Sequence, residues 1–170
     1  MIIFKDIISG DEMISDVYDL KEVDGVLYEA DCAMITVSKG GDVDIGANAS
    51  AEEAAEELED GQESVNNVVF SFRLNPTSFD KKSYLTYLKG YMKAIKKKMQ
   101  DDGKTEEEVT AFEKGAAAAA KKIVANFKNY DFYIGESMDL EGMVALMNYR
   151  EDGVTPYMIF WKHGLKEEKV

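Results

Sequence analysis

Histidine and cysteine, the side chains most used for nucleophilic and metal chemistry, each occur once in the 170-residue chain, as His163 and Cys32. A nucleophilic site needs a base beside the nucleophile, and a structural zinc site needs four ligands. One histidine and one cysteine in distant segments supply neither without carboxylate help. The glycine-rich phosphate loops GxxxxGK and GxGxxG are also missing. The usual histidine-dependent catalytic arrangements therefore have little material to draw on, and we expect no zinc site, no nucleotide pocket and no resident cofactor.

The two rare residues have simple structural interpretations. Cys32 follows an alternating strand pattern and has no basic neighbour to lower its pKa, so we expect a buried structural thiol. We expect His163, which precedes Gly164, to lie on the surface. A single cysteine excludes an internal disulfide and agrees with a reducing compartment.

Carboxylates dominate the ionisable groups. The 33 Asp and Glu residues against 20 Lys and Arg give a net charge of −13, which argues against general nucleic-acid binding and favours cationic partners, ions or simple solubility. Nine of them lie between Asp42 and Ser64, where no basic residue occurs, and Asp11–Glu12 forms an acidic corner. Calcium prefers several oxygen ligands, but the ligand spacing of an EF-hand is missing. These carboxylates are candidates for a weak calcium site whose ligands stay unassigned.

Lysines are concentrated in one short segment, with seven between Lys81 and Lys98. Their spacing places five of them on the side of a predicted helix opposite its apolar stripe: Lys82, Lys89, Lys93, Lys96 and Lys97. This face is either solvated or a docking surface for an acidic protein segment, with nucleic acid or tubulin tails as further targets.

Two helices are predicted to carry these lysines, between Thr77 and Asn126. Apolar residues recur at steps of three and four, and Asp101–Asp102–Gly103 separates the helices. Thr105 and Glu108 fit a capping box for the second helix. The first stripe comprises Tyr84, Leu88, Tyr91, Met92, Ile95 and Met99; the second comprises Val109, Phe112, Ala116, Ala119, Ile123 and Phe127. We expect an antiparallel helical hairpin, at residues 78–127, inserted between strands.

Strand patterns flank the helices on both sides. Residues 1–39 read as short strands with corners at Asp11–Glu12 and Asp24–Gly25, and Val65–Leu74 reads as another strand. Residues 42–64 are predicted to be a mobile acidic loop with at most a transient helix at Ala51–Leu58. The segment Tyr130–Lys162 alternates again, with a hairpin turn between Tyr149 and Tyr157 and with Glu136 displayed next to Gly135.

The length and the hydropathy of the chain limit the number of domains and the membrane segments that it can contain. The chain suits one domain, 1–170, and has no run of 18 apolar residues that would predict a transmembrane helix. Lys5 and Asp6 interrupt the apolar opening that a signal peptide would need, so we expect a cytosolic protein.

Two segments resemble the signatures of a known family. Ile45–Glu52, IGANASAE, and Phe132–Glu151, FYIGESMDLEGMVALMNYRE, are similar to the two signature segments of the translationally controlled tumour protein family. MIIFKDIISGDEMISD, the acidic loop, the lysine-rich helix, ANFKNYDF and REDGVTPYMIFWK occur in the family's order, so the likeness covers the whole chain. The amino-acid sequence of these segments is most similar to that of fungal members.

The resemblance implies an α+β fold, a β-tent of mixed or antiparallel sheets with an inserted antiparallel helical hairpin and a mobile acidic loop. It also implies a non-enzymatic cytosolic protein that associates with translation elongation factor 1 subunits and ribosomes and has roles in growth and stress survival. Two alternatives stay open: a guanine-nucleotide exchange regulator of a Rheb-type small GTPase, and a calcium- and microtubule-binding stress protein.

The resemblance implies roles only for residues of this sequence that match positions of the family. Glu12 matches the family's acidic residue implicated in GTPase contact, and Glu136 matches the glutamate of its Gly-Glu signature. The lysine face matches the helical region that the family is thought to present to acidic elongation-factor segments. Many members end in a cysteine that can link two chains, whereas this chain ends at Val170, so no covalent dimer is expected through that terminus.

Overall fold

The computed structural model of the protein describes residues 1–38 and 62–169. In that part of the chain short alternating segments form strands and the two 3.6-period segments form long helices. The strands are β1 (Ile2–Asp6), β2 (Glu12–Ser15), β3 (Leu20–Val23), β4 (Leu27–Asp31), β5 (Met34–Ser38), β6 (Gln62–Asn66), β7 (Asn75–Thr77), β8 (Asp131–Ile134), β9 (Ala145–Tyr149), β10 (Pro156–Trp161) and β11 (Leu165–Lys169). The helices are α1 (Asn67–Ser71), α2 (Lys81–Asp101) and α3 (Glu106–Ala125), with 3-10 turns at Phe127–Asn129 and Lys162–Gly164.

The strands form three antiparallel sheets. A six-stranded sheet has the order β3-β4-β10-β9-β8-β7, a three-stranded sheet has the order β11-β1-β2, and β5 pairs with β6. Every described pairing is antiparallel, so the expected mixed or antiparallel sheets are antiparallel. Ile2 lies opposite Lys169, which places the two ends of the chain side by side.

Strand β10 lies at the centre of the core. Its residues Met158–Trp161 are all buried, which is expected of a strand covered on both faces. The β9–β10 hairpin was predicted from the turn between Tyr149 and Tyr157, and it is confirmed. The Asp152 carboxylate closes that turn by accepting from the backbone N–H groups of Val154 and Thr155, both at 2.8 Å.

The predicted helical pair is also confirmed. Apart from Met92 and Phe127, which are half-buried, every residue of the two predicted stripes is buried. Thr105 and Glu108 form the predicted capping box, with both hydrogen bonds at 3.1 Å. Helix α3 lies close to the β3–β4 turn, because a Cβ added at Gly115 would be 2.7 Å from Val26 Cγ1. The hairpin therefore shares one hydrophobic core with the sheets.

The predicted strand Val65–Leu74 is wrong beyond Asn66. The Asn66 side chain accepts from the N–H groups of Val68 and Val69, at 2.8 and 3.2 Å, and so caps a helix where strand-forming residues continue. Asparagine is a preferred N-cap, and this local bond overrides the strand preference of the following residues.

The acidic loop lies largely outside the described residues. Its last three residues, 62–64, belong to β6 rather than to a loop. The predicted transient helix Ala51–Leu58 and the signature segment Ile45–Glu52 both lie outside the described residues.

The predictions for the single cysteine and the single histidine had different outcomes. Cys32 is buried, as predicted, and burial raises the pKa of its thiol to about 11. The prediction that His163 lies on the surface is wrong: its ring packs on Phe112, with centroids 4.8 Å apart, and is half-buried. Burial, with the nearby charge of Lys162, lowers the pKa of His163 below 6.5.

Candidate functional site

The predicted lysine face divides into two parts in the structure. Lys82, Lys89, Lys93 and Lys97 are exposed, as expected. Lys96 is half-buried, because it faces α3 and pairs with Glu113 at 3.3 Å. The face therefore does not lie wholly opposite the buried stripe, and part of it borders the partner helix.

A groove runs between α2 and α3 along this border, and we call it the hairpin groove. Its volume is about 610 Å³. The apolar part of its lining is formed by Leu85, Leu88, Met92, Phe112, Ala116, Ala117 and Ala120, and the polar part by Thr86, Lys89, Lys93, Lys96 and Glu113. Alanines on α3 keep this floor open, since they add no side chain beyond Cβ. Lys82 and Lys97 do not line the groove.

The rim of the hairpin groove is electropositive. Among the described residues, neither Lys89 nor Lys93 forms an ion pair, and the Lys96–Glu113 pair is half-exposed. Leu85, in the lining, is 45% exposed although it is apolar. An apolar floor with unpaired cations at its edge fits a segment that has apolar residues on one side and carboxylates beside them.

The two glutamates of the GTPase prediction lie on either side of one long-range contact. The Asp11 carboxylate accepts from the Ser137 hydroxyl at 2.7 Å and from its backbone N–H at 3.2 Å, across 126 residues of sequence. This contact fastens the turn that precedes Glu12 to the loop that carries Glu136. Both glutamates are exposed.

Each glutamate has its own cationic neighbour. Glu136 pairs with Arg73 at 3.4 Å, and both side chains are largely exposed. Glu12 lies opposite Lys5 in the β1–β2 pairing. A hydrogen bond from Lys5 to Glu168 raises the pKa of Lys5, and the negative charges of Glu168 and Glu12 add to this effect. The exposed Arg73–Glu136 pair contributes little to stability, so Glu136 exchanges it easily for a partner's charge.

Glu12, Glu136 and the Asp11–Ser137 contact together form one edge of the molecule, and a buried carboxylate also supports this edge. Asp6 is 2% exposed and accepts from the Tyr91 hydroxyl at 3.0 Å, the Ser9 hydroxyl at 2.6 Å and the Met143 N–H at 2.8 Å. Burial raises the pKa of Tyr91 well above its usual value, and the charge of Asp6 adds to the shift, so Tyr91 stays a donor. Sequence reasoning missed Asp6, Arg73 and Tyr91 as neighbours of this edge, because their contacts join segments far apart in the chain.

Comparison with known proteins agrees with this architecture. The family model for translationally controlled tumour protein matches residues 1–166. The chain belongs to that family. The homologue from Schizosaccharomyces pombe is 67% identical over 169 residues, covering 99% of each chain, and the homologue from Yarrowia lipolytica is 67% identical over the full length of both.

Solved structures of this family show the same fold. The S. pombe protein p23fyp superposes with a TM-score of 0.82 at 66% identity, covering all of both chains. The Caenorhabditis elegans translationally controlled tumour protein superposes with a TM-score of 0.74 at 31% identity, covering 100% of this chain and 99% of that one. The fold therefore persists in a relative that shares fewer than a third of its residues.

The structure gives a physical reason for the glycine in the second translationally controlled tumour protein signature. A Cβ added at Gly135 would lie 2.6 Å from Asp11 Cβ, well inside van der Waals contact. The glycine therefore permits the Asp11–Ser137 contact and, through it, the position of Glu136.

Metal ligands and membrane spans were considered in the sequence, and the described residues bear on both. Within residues 1–38 and 62–169, no group of three or more His, Cys, Asp or Glu side chains is placed to hold a metal ion. Calcium binding stays a prediction. No helix among the described residues is long and apolar enough to span a membrane.

Proposed function

We propose that this member of the translationally controlled tumour protein family is a non-enzymatic binding protein of the cytosol that engages translation elongation factor 1 subunits and ribosomes. The hairpin groove carries this proposal. Its apolar floor and its Lys89, Lys93 and Lys96 rim match an acidic amphipathic segment, a chemistry that the lysine-rich helix alone did not specify. Roles in growth and stress survival would follow from this association.

The binding energy has two separable parts. The floor contributes by burying apolar surface, which is insensitive to moderate salt. The rim contributes by attracting carboxylates, and this attraction weakens as salt shortens the Debye length. Because the protein as a whole carries a net charge of −13, a local cluster of lysines also orients an acidic partner towards this one face.

Charge reversal at paired positions tests the proposal. Lys89→Glu/Lys93→Glu reverses two rim charges, and Lys82→Glu/Lys97→Glu reverses two lysines on the same helix that do not line the groove. Binding of a purified elongation factor 1 subunit is measured by titration calorimetry from about 50 to 300 mM salt. The rim variant is expected to lose about tenfold in affinity and part of its salt dependence, whereas the control changes by less than about twofold.

A third variant isolates the apolar floor. Leu85→Ser should weaken binding at every salt concentration without changing the salt slope, because it removes apolar contact and no charge. Equal losses in the rim variant and its control would show that general charge, not the groove, attracts the partner. Unchanged binding in all three variants would reject the hairpin groove as the site.

The Glu12–Glu136 edge favours a second candidate, a regulator of nucleotide exchange on a Rheb-type small GTPase. Two exposed carboxylates held at one edge could compete with nucleotide phosphate or displace its magnesium. Release of a fluorescent guanine nucleotide from the purified GTPase should then accelerate, and Glu12→Val or Glu136→Gln should abolish the effect while Glu151→Gln, in the β9–β10 turn, preserves it. No acceleration at saturating protein would eliminate this candidate.

A further inference from the structure

A second groove lies on the other flank of α2, and we call it the loop groove. Its volume is about 460 Å³, and it separates α2 from the loop that joins β8 to β9. Its lining is formed by Ile8, Thr86, Tyr87, Gly90, Tyr91, Ala94, Leu140 and Glu141. It shares only Thr86 with the hairpin groove.

Gly90 is unexplained by packing or by backbone geometry. The other glycines of the described residues either have a positive φ or have a neighbour within 3 Å of an added Cβ. At Gly90 an added Cβ would meet nothing within 4 Å, and the backbone is helical. Glycine inside a helix lowers stability relative to alanine. The glycine instead keeps the wall of the loop groove flat.

Met138, in the loop beyond the groove, is unfavourable in two respects. Its φ is +59°, a region that suits glycine or asparagine, and its side chain is 59% exposed. Asparagine would improve both the conformation and the hydration. The neighbouring apolar residues Leu140 and Ile8 are also exposed, at 63% and 38%. Local rules broken on both sides of one groove are typical of a functional surface.

The charge in the lining of the loop groove is of the opposite sign to the charges on the rim of the hairpin groove. Glu141 is the single charged residue of the lining, and the same loop carries Asp139 and Glu136. Glu136 already attracts a guanidinium, that of Arg73. A cationic occupant would complement these carboxylates, whereas an acidic one would be repelled.

We propose that the loop groove is a docking site for a basic segment of a partner protein. The segment inserts one or two large apolar side chains between Gly90, Ala94 and Leu140, and its Lys or Arg residues pair with Glu141 and Asp139. This site is independent of the hairpin groove and selects partners of opposite charge.

The test uses the full chain and a phage-displayed library of random peptides of about 12 residues. Sequences enriched on the protein are synthesised, and their affinities are measured by fluorescence anisotropy. We expect them to carry large apolar residues flanked by Lys or Arg.

Two variants change the groove in different ways. Gly90→Leu fills it while improving helix propensity, so the urea midpoint should stay the same or rise while affinity falls by at least about tenfold. Met138→Asn/Leu140→Ser removes the apolar loop surface and should cause a similar loss. Val154→Ser, at an equally exposed apolar residue in the β9–β10 turn, is the matched control and should leave affinity unchanged.

Four results would overturn the proposal. They are failure to enrich any sequence family, enrichment of acidic or uncharged peptides, equal affinity for the wild type and Gly90→Leu, and equal loss in Val154→Ser. Sedimentation as a dimer that Leu140→Ser dissociates would identify a second copy of the chain as the occupant instead. Binding to phosphatidylcholine vesicles that is lost in Met138→Asn/Leu140→Ser would identify a lipid surface.

Discussion

Replacing Asp6 with alanine should lower the free energy of unfolding more than most single changes around the loop that joins β8 to β9. The Asp6 carboxylate is buried and joins β1 to α2 and to the loop before β9 through Tyr91, Ser9 and Met143. Asp6→Ala removes the acceptor and leaves its donors in place. The loop that carries Leu140 and Glu141 would lose one of its attachments to the rest of the fold, the hydrogen bond from the Met143 N–H.

The magnitude follows from the donors that lose a partner. A buried donor left unsatisfied costs about 1 to 3 kcal/mol. The Met143 N–H has no second acceptor among the described residues, whereas the Tyr91 hydroxyl keeps a long contact of 3.5 Å to the Gly164 carbonyl. Because removal of a buried charge offsets part of the loss, we expect a net cost of about 3 kcal/mol in the free energy of unfolding.

Urea unfolding followed by circular dichroism measures this cost. A cost of about 3 kcal/mol corresponds to a fall of roughly 6 to 12 °C in the melting temperature of a chain of this size. Tyr91→Phe alone should cost about 1 kcal/mol, and the double variant should cost less than the sum of the two.

Asp16→Ala is the matched control. The Asp16 carboxylate is exposed and accepts a single backbone N–H, that of Ile2 at 3.0 Å, so its loss should be far smaller. Equal losses in Asp6→Ala and Asp16→Ala, or a loss below about 1 kcal/mol for Asp6→Ala, would refute the argument.

Three further predictions follow from single residues. Gly135→Ala should lower stability by about 1 to 3 kcal/mol, measured by urea unfolding, because its Cβ would collide with Asp11; an unchanged midpoint would contradict the packing. Cys32 should react with a thiol reagent at pH 8 roughly a hundredfold more slowly than an exposed cysteine, since its pKa is about 11 rather than 9.0, and unfolding in urea should abolish the difference. His163 should titrate below 6.5 in NMR spectra, and a pKa above 6.5 would contradict its burial against Phe112. Because the unfolded state takes up this proton at a higher pH than the folded state, the stability contributed by neutral His163 is present above pH 6.5 and is lost as the pH falls through the folded pKa.

Features set by local spacing were predictable from the sequence. The buried stripes of α2 and α3, the Thr105 capping box and the β9–β10 hairpin depend on residues within a few positions of one another. Buried Cys32 was predictable for a related reason, since no neighbour in sequence could make its thiol reactive. The family could also be named, because its signature is itself a local string of residues.

The error at α1 and the error at His163 have a common cause. Residues 67–71 have the composition of a strand, but the Asn66 side chain closes a helical turn there. His163 precedes a glycine, which favoured a surface position, but the fold brings Phe112 of α3 against it. In both cases a single contact outweighs the local preference, and composition does not reveal which contact will form.

The sequence determined which helix faces are apolar, where α2 ends and α3 begins, and which residues carry charge. Only the tertiary structure decided that Lys89, Lys93 and Lys96 border an apolar groove while Lys82 and Lys97 do not, and that Asp11 meets Ser137 across 126 residues. The physical reason is that periodicity records whether a face is covered but not what covers it. Grooves and long-range hydrogen bonds exist only once separate elements have packed together.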